Sequence, residues 1–383
     1  MTDSELSPTG APAADTLPSP APDQAPETEI VVELPGLYCP KQPRRHPQAD
    51  LVHERGLAWM ERHGFCTTPQ SRKRVADTAS ADFFGAVCPD ADPELLQPGA
   101  DWCYLMFIFD DRHCDEDLGD YESLLDLSLR IARTLEVPRC GVLDPRRPFT
   151  TAVVDLAERL HQTAPPPLIR RLADAHRAWL LGAARSRAGR SGKALSPDDY
   201  LLIRMLDCGG LPTLVWIELS DPRVIPEQQI VSPAVRALTE MALLVAALDN
   251  DLFSYGKELW LAAHTSAAMP ANVVNQFMAS HDYGLQDALR DSVALRDRIV
   301  HRFVEVHDQV IPDADAPLAR YLSNLTCLIP GNLDVGLRSG RYRDPDGMHP
   351  NAVRTIATMT GTPSAIGPPP DAPSIAGWWE TDW

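Results

Sequence analysis

Two apolar runs in this chain each end abruptly in a crowd of oxygen-bearing side chains, and that pairing limits the folds open to it. The first, Trp102-Cys-Tyr-Leu-Met-Phe-Ile-Phe109, is followed at once by Asp110, Asp111, Asp115, Glu116 and Asp117. The second, Met241-Ala-Leu-Leu-Val-Ala-Ala-Leu248, leads into Asp249, Asn250, Asp251, Ser254 and Glu258. A helix that is apolar all round is buried all round, so each polar end is expected to open inside the molecule or at the floor of a cavity. Carboxylates crowded there repel one another and lose hydration unless a cation joins them. Hard oxygen donors suit Mg²⁺, which keeps several waters and takes one or two carboxylates along with substrate phosphates. A solvated helix end is the alternative for either cluster taken alone. His113 and Cys114 lie within the first cluster, yet no second His or Cys stands at ligand spacing, so a transition-metal site is not expected.

The second cluster carries a finer pattern. Asn250, Ser254 and Glu258 recur every fourth residue, and at about 100° per residue they fall within about 80° of one helix face. An amide carbonyl, a hydroxyl and a carboxylate in one stripe can chelate a divalent cation with a single full negative charge, leaving the metal positive enough to hold a diphosphate. Asp249 and Asp251 are expected to support the site from behind or to face solvent. The competing reading ends one helix near Ser254 and starts another at Glu258.

The rest of the chain reads as helices. Apolar residues recur at spacings of three and four, and alternating β-branched runs are scarce. The pattern predicts helices near 49–64, 93–112, 120–137, 148–162, 165–188, 196–208, 231–255, 271–281, 284–309 and 315–338, with joints at Pro165 to Pro167, at Gly209-Gly210 before Pro212, and along Pro222, Pro226 and Pro233. The fold class is therefore all-α, a bundle, and bundles build their sites from side chains on facing helices. Residues 1–36 are expected to form a disordered acidic tail, since the first 35 residues hold seven Pro and seven Asp or Glu with no Lys, Arg or His. Residues 37–360 form the single expected domain, followed by a Pro- and Trp-containing tail over 361–383 whose Trp378, Trp379 and Trp383 offer an apolar anchor.

Charge and cysteine usage narrow the partners. A net charge of -18 provides no basic face for nucleic acid. The eight scattered Cys contain no C-x-x-C pair, as expected of reduced buried thiols. No basic and apolar leader and no apolar run near the ~20 residues of a membrane span is present, so a soluble cytoplasmic protein without membrane insertion is expected.

Asp110-Asp111-x-x-x-Asp115, followed about 140 residues later by Asn250-Asp251-x-x-Ser254-x-x-Lys257-Glu258, resembles the paired metal motifs of bacterial class I terpene synthases. Arg204, 46 residues before Asn250, stands where that family carries its diphosphate-sensing arginine, and Arg341-Tyr342 stands where its late Arg-Tyr pair lies. Asp207, Cys208 and Gly209 match the linker, effector and helix break that follow the sensor. Cys114 takes the place of the commonest third acid, which moves to Asp115 or Glu116. The resemblance covers the whole body and implies a class I terpenoid synthase bundle around a central cavity, with three Mg²⁺ ions and an isoprenyl diphosphate substrate.

On that resemblance Asp110, Asp111 and Asp115 hold metal from one side and Asn250, Ser254 and Glu258 from the other, while Arg204, Lys257, Arg341 and Tyr342 surround the diphosphate. Phe83, Phe84, Phe107, Trp216 and Tyr104 are candidate aromatic walls for a carbocation, against ordinary core packing. Farnesyl diphosphate giving a sesquiterpene is the expected substrate, the commonest in the family. Leu37-Tyr38-Cys39-Pro40 and Asn250-Asp-Leu-Phe-Ser-Tyr-Gly-Lys-Glu258 also resemble 2-methylisoborneol synthases, which take a methylated geranyl diphosphate, and a diterpene cyclase of geranylgeranyl diphosphate is a third option. A chain-elongating prenyltransferase would carry a second aspartate-rich motif in place of Asn250, Ser254 and Glu258. A helical binding protein without activity would release no diphosphate. The expected assembly is a homodimer.

Overall fold

The computed structural model describes residues 29–111, 121–189, 195–265, 269–369 and 372–380. A short strand β1 (Ile30–Glu33) and β2 (Leu37–Tyr38) lead into helix α1 (Ala49–Arg62), then α2 (Pro69–Asp77), α3 (Ser80–Val87) and α4 (Pro93–Phe109). After α5 (Tyr121–Glu136) and α6 (Pro148–Thr163), the chain runs through α7 (Pro166–Gly189), α8 (Pro197–Asp207), α9 (Gly210–Leu219) and the single turn α10 (Glu227–Ile230). The longest helix, α11 (Pro233–His264), precedes α12 (Val273–His281), α13 (Leu285–Val310), α14 (Ala316–Arg338) and α15 (Gly340–Arg343). Strands β3 (Val353–Ile356) and β4 (Met359–Thr360) and a last helix, α16 (Pro373–Glu380), complete it.

The all-α class is confirmed, and the helices lie where the apolar periodicity places them. Several short ones escape that periodicity. Helix α2 is almost wholly polar, and α3 has only eight residues. Helix α9 is buried on every side and so shows no periodic face, and the glycines before it read as a joint. That joint is real: Gly209 sits at φ 71°, and Pro212 falls in the first turn of α9, where its missing N–H has no bond to lose.

Helix α11 continues to His264, past the end expected at 255. Gly256 resembles a helix terminator in the sequence, but its lack of a side chain serves packing. A Cβ there would lie 2.6 Å from Val353 Cγ1 of β3. Asn250, Ser254 and Glu258 therefore occupy one uninterrupted helix, which disposes of the two-helix reading.

Both ends of the described residues join the body. Strand β1, inside the expected acidic tail, pairs in parallel with β3 in the register Ile30 to Val353 through Glu33 to Ile356, and β2 pairs in parallel with β4. At the far end α16 packs on α8, with Trp378 buried and its Nε1 donating to Glu240 at 3.2 Å. Trp383 lies outside the described residues. Beneath β2, Arg296 and Asp249 are fully buried, Arg296 Nε donates to Asp249 Oδ1 at 2.8 Å, and Asp297 accepts from Tyr38 N and Ser364 N at 3.0 and 2.9 Å. Among the described residues no single helix is long and apolar enough to cross a membrane.

Candidate active site

One cavity of about 320 Å³ opens between α4, α7, α8, α9, α11 and α14. Each helix contributes one face. From α4 come Trp102, Cys103, Met106, Phe107 and Asp110, steps of three and four that run straight back from the first acid. From α11 come Leu243, Ala246, Ala247, Asn250, Phe253, Ser254, Lys257, Glu258 and Leu261, the same periodicity over five turns. The two acid-bearing ends thus open on a single space, with apolar residues deeper along both helices.

Most of the expected site residues meet here. Phe83, Phe107, Asp110, Arg204, Asp207, Cys208, Gly209, Asn250, Ser254, Lys257, Glu258, Arg341 and Tyr342 all line the cavity. Asp111 turns aside from the cavity, bonded to Arg341 Nη1 at 2.6 Å and facing Arg74 Nη2 at 3.8 Å. Asp115 and Glu116 lie outside the described residues.

The structure removes two candidates, Phe84 and Trp216, from the wall, and Tyr104 with them. Phe83 lines the cavity, and Phe84, about 100° further round α3, does not. Phe84 is 1% exposed and meets Phe83 edge-on behind it, with ring centroids 5.4 Å apart. Trp216 backs Trp102 at 6.3 Å between centroids, and Tyr104 is fully buried with its hydroxyl 2.7 Å from His53 Nδ1. The indoles that do line the cavity are Trp102 and Trp179. Trp102 was legible from its place on the Asp110 face of α4. Trp179 had no such signal, because α7 carries neither motif.

Arginine side chains bind each donor set. Arg204 Nε donates to Asp251 Oδ1 at 3.0 Å, Nη1 to Asp207 Oδ1 at 2.9 Å and Nη2 to Asn250 Oδ1 at 2.9 Å. Burial opposes its charge, but Asp251 and Asp207 outweigh that and hold the guanidinium firmly protonated. Opposite, Arg341 bridges Asp111 and Asp110, the latter at 3.4 Å, and lies 4.6 Å above the Phe107 ring. Burial acts to raise the Asp111 carboxyl, yet Arg341, Lys257 and Arg74 together bring it below its usual range. Asn250 Nδ2 donates to the Tyr342 oxygen at 2.9 Å, and Lys257 Nζ stands 6.0 Å from the Tyr342 ring centre. Burial pushes the Tyr342 phenol up to about 12, so it is a neutral donor at physiological pH.

The donor set fits a hard divalent cation. Ser254 Oγ donates to Glu258 Oε1 at 2.5 Å, and Asn272 Nδ2 to Glu258 Oε2 at 3.0 Å, both neutral partners. Burial consequently drives the Glu258 carboxyl up to about 7, a cost that a cation bonded to it would offset. Asp251, expected to be only a supporting group, is 2% exposed and joins three elements: it accepts from Tyr200 OH and Arg204 on α8 and from Val273 N on α12.

Comparison with known proteins agrees. Residues 101–302 match the family model described as terpene synthase family 2, C-terminal metal binding. Phomopsene synthase of Allokutzneria albata is 50% identical over 92% of this chain and 98% of its own. Spiroviolene synthase of Streptomyces violens is 36% identical over 91% and 97%. Among solved structures, the ancestrally reconstructed SVS_A2 protein superposes with a TM-score of 0.78 at 36% identity, covering 91% of this chain and 98% of that one. Other relatives include a diterpene cyclase from Streptomyces, 31% identical over 92% and 97% of the two chains. With acidic and Asn-Ser-Glu faces opening on one cavity and these relatives aligned over nearly its whole described length, the chain belongs to the terpene synthase family and is a metal-binding, all-α cyclase of isoprenyl diphosphates.

Proposed function

We propose that this cyclase takes geranylgeranyl diphosphate and uses three Mg²⁺ ions held between Asp110, Asp111 and Asp115 on one side and Asn250, Ser254 and Glu258 on the other. The observation that carries the metal assignment is the opening of both donor faces on one space. Bound Mg²⁺ would neutralise the charge that builds on the diphosphate as its carbon-oxygen bond breaks. Arg204, Lys257, Arg341 and the neutral Tyr342 hydroxyl surround the same mouth and supply positive charge and donors fixed before the reaction. Arg204 and Arg341 now bind carboxylates, and an arriving diphosphate competes for the same guanidinium hydrogens.

Deeper in, Phe83, Phe107, Trp102, Trp179 and Phe253 present aromatic side chains to the hydrocarbon, whose positive charge their ring faces attract. The indole N–H groups are engaged elsewhere, Trp102 with His176 and Trp179 with the Asp207 carbonyl, so no donor of theirs competes at the ring face.

The wall supports this chain length. Ala183, Ala246, Ala247, Gly210 and Gly336 line the cavity, leaving its room to the substrate; a relative named a diterpene cyclase, 31% identical, supports C20, and another, 30% identical, is named as cyclising farnesyl diphosphate, the C15 expectation. Incubation with C10, C15 and C20 diphosphates, with Mg²⁺ and then with chelator, followed by gas chromatography, tests this. The expected result is a cyclic C20 hydrocarbon or alcohol that disappears with chelation. Preferential C15 conversion would overturn the chain length, and diphosphate release unaffected by chelator would overturn the metal assignment.

A further inference from the structure

One buried amide outside both motifs touches the carboxylate assigned to metal. Asn272 has no exposed surface and caps α12, its Oδ1 accepting from Val274 N at 3.0 Å. Its amide hydrogens are divided between two acceptors on α11, the backbone oxygen of Asp251 at 2.9 Å and Glu258 Oε2 at 3.0 Å. A reversed amide would set its oxygen against both acceptors and its nitrogen against an N–H, so the partners fix its orientation. The other Glu258 oxygen accepts from Ser254.

We infer that Asn272 is a positioning residue for the divalent-cation site, holding the Glu258 carboxylate in the orientation that meets the metal. A glutamate has several rotatable bonds, and left unheld it must be ordered by the ion itself, which weakens binding. Each Glu258 oxygen is engaged by one neutral donor and keeps lone-pair capacity for a cation. Asn272 also ties that carboxylate to the rim of the cavity, because Pro270 and Ala271 line it immediately before the cap. The bond to Asp251 and that of Val273 N to Asp251 Oδ2 anchor the start of α12 to α11, so the Asn272 amide is held rigidly in its turn.

This inference rests on Glu258 as a metal ligand, and the test separates the two claims. Asn272→Asp and Asn272→Ser both keep an acceptor for the α12 cap and both lose the amide N–H that reaches Glu258. Mn²⁺ titrated into the full-length protein with inorganic diphosphate, followed by electron paramagnetic resonance, reads the affinity directly, and thermal melting reads the fold. Both variants are expected to bind Mn²⁺ about 10- to 100-fold more weakly per folded molecule than wild type. The Mg²⁺ concentration for half-maximal turnover should rise in parallel. If one variant fails to fold, the other carries the test. Glu258→Gln is the control: if it binds Mn²⁺ as tightly as wild type, the ligand assignment falls and this inference with it. If Glu258→Gln weakens binding while a folded Asn272 variant stays within about twofold of wild type, the positioning role alone is overturned.

Discussion

Three consecutive polar residues on α11 have three different fates. Asp249 turns from the cavity to Arg296, in a pair from which water is excluded on both sides. Asn250 joins Arg204 to Tyr342, and Asp251 ties α11 to α8 and α12. Asp110, on α4, is part of the cavity wall with over a third of its side chain exposed. Asp110→Ala should therefore reduce turnover by about a hundredfold or more with the melting temperature almost unchanged. Asp249→Ala takes from the buried Arg296 guanidinium one of its two carboxylate partners, leaving Asp297 at 3.1 Å, and chemical denaturation should show a loss of about 3 kcal/mol. The motif residues were legible because polar groups stood where core was expected. Asn272 was not, since its link to Glu258 crosses 14 residues from a helix cap to another helix, a distance that no periodicity encodes.

At the scale of helices, the site depends on how closely α7, α8 and α4 approach. Gly182 of α7 faces α8 so closely that a Cβ would lie 2.5 Å from Leu206 Cβ and 2.8 Å from Asp207 N. Gly182→Ala should cost about 1–3 kcal/mol, and because the helix it displaces carries Arg204, turnover should fall further than stability does. Between α7 and α4, His176 is fully embedded, accepting from Trp102 Nε1 at 2.8 Å and bonded through Nδ1 to the Leu172 carbonyl. Burial pushes its pKa from 6.5 down to about 4. The folded protein thus resists a proton that the unfolded chain accepts, so the stability this group contributes is complete above 6.5 and lost as pH falls from there toward 4. Denaturant midpoints at pH 7 and pH 5 should reveal a loss of about 2 kcal/mol from this residue, and His176→Gln should remove that part of the slope. The long helices were readable because each exposes one polar face. Helix α9 and the polar α2, which brings Arg74 toward Asp111, carried no such contrast.

Over the whole molecule, β1 and α16, the first and last described elements, brace the bundle behind the cavity. Strand β1 lies along α11 through β3, and α16 lies on α8 with Trp378 sealed against Glu240 and with Arg302 Nε donating to its carbonyl at 2.7 Å. Trp378→Ala should therefore destabilise the protein by about 3–5 kcal/mol in equilibrium unfolding, although residue 378 lies far along the chain from either motif. The pairing of β1 with β3 joins residues more than three hundred positions apart, and a run of three β-branched residues, Ile30 to Val32, among acids and prolines offered no local sign of it.

Whether the α4 and α11 faces share divalent ions across one cavity can be read from anomalous diffraction of crystals grown with Mn²⁺ and inorganic diphosphate. Anomalous peaks are expected at ligand distance from Asp110 and from the Asn250, Ser254 and Glu258 face, with the diphosphate between them. Peaks confined to one face, or located away from the cavity altogether, would contradict it.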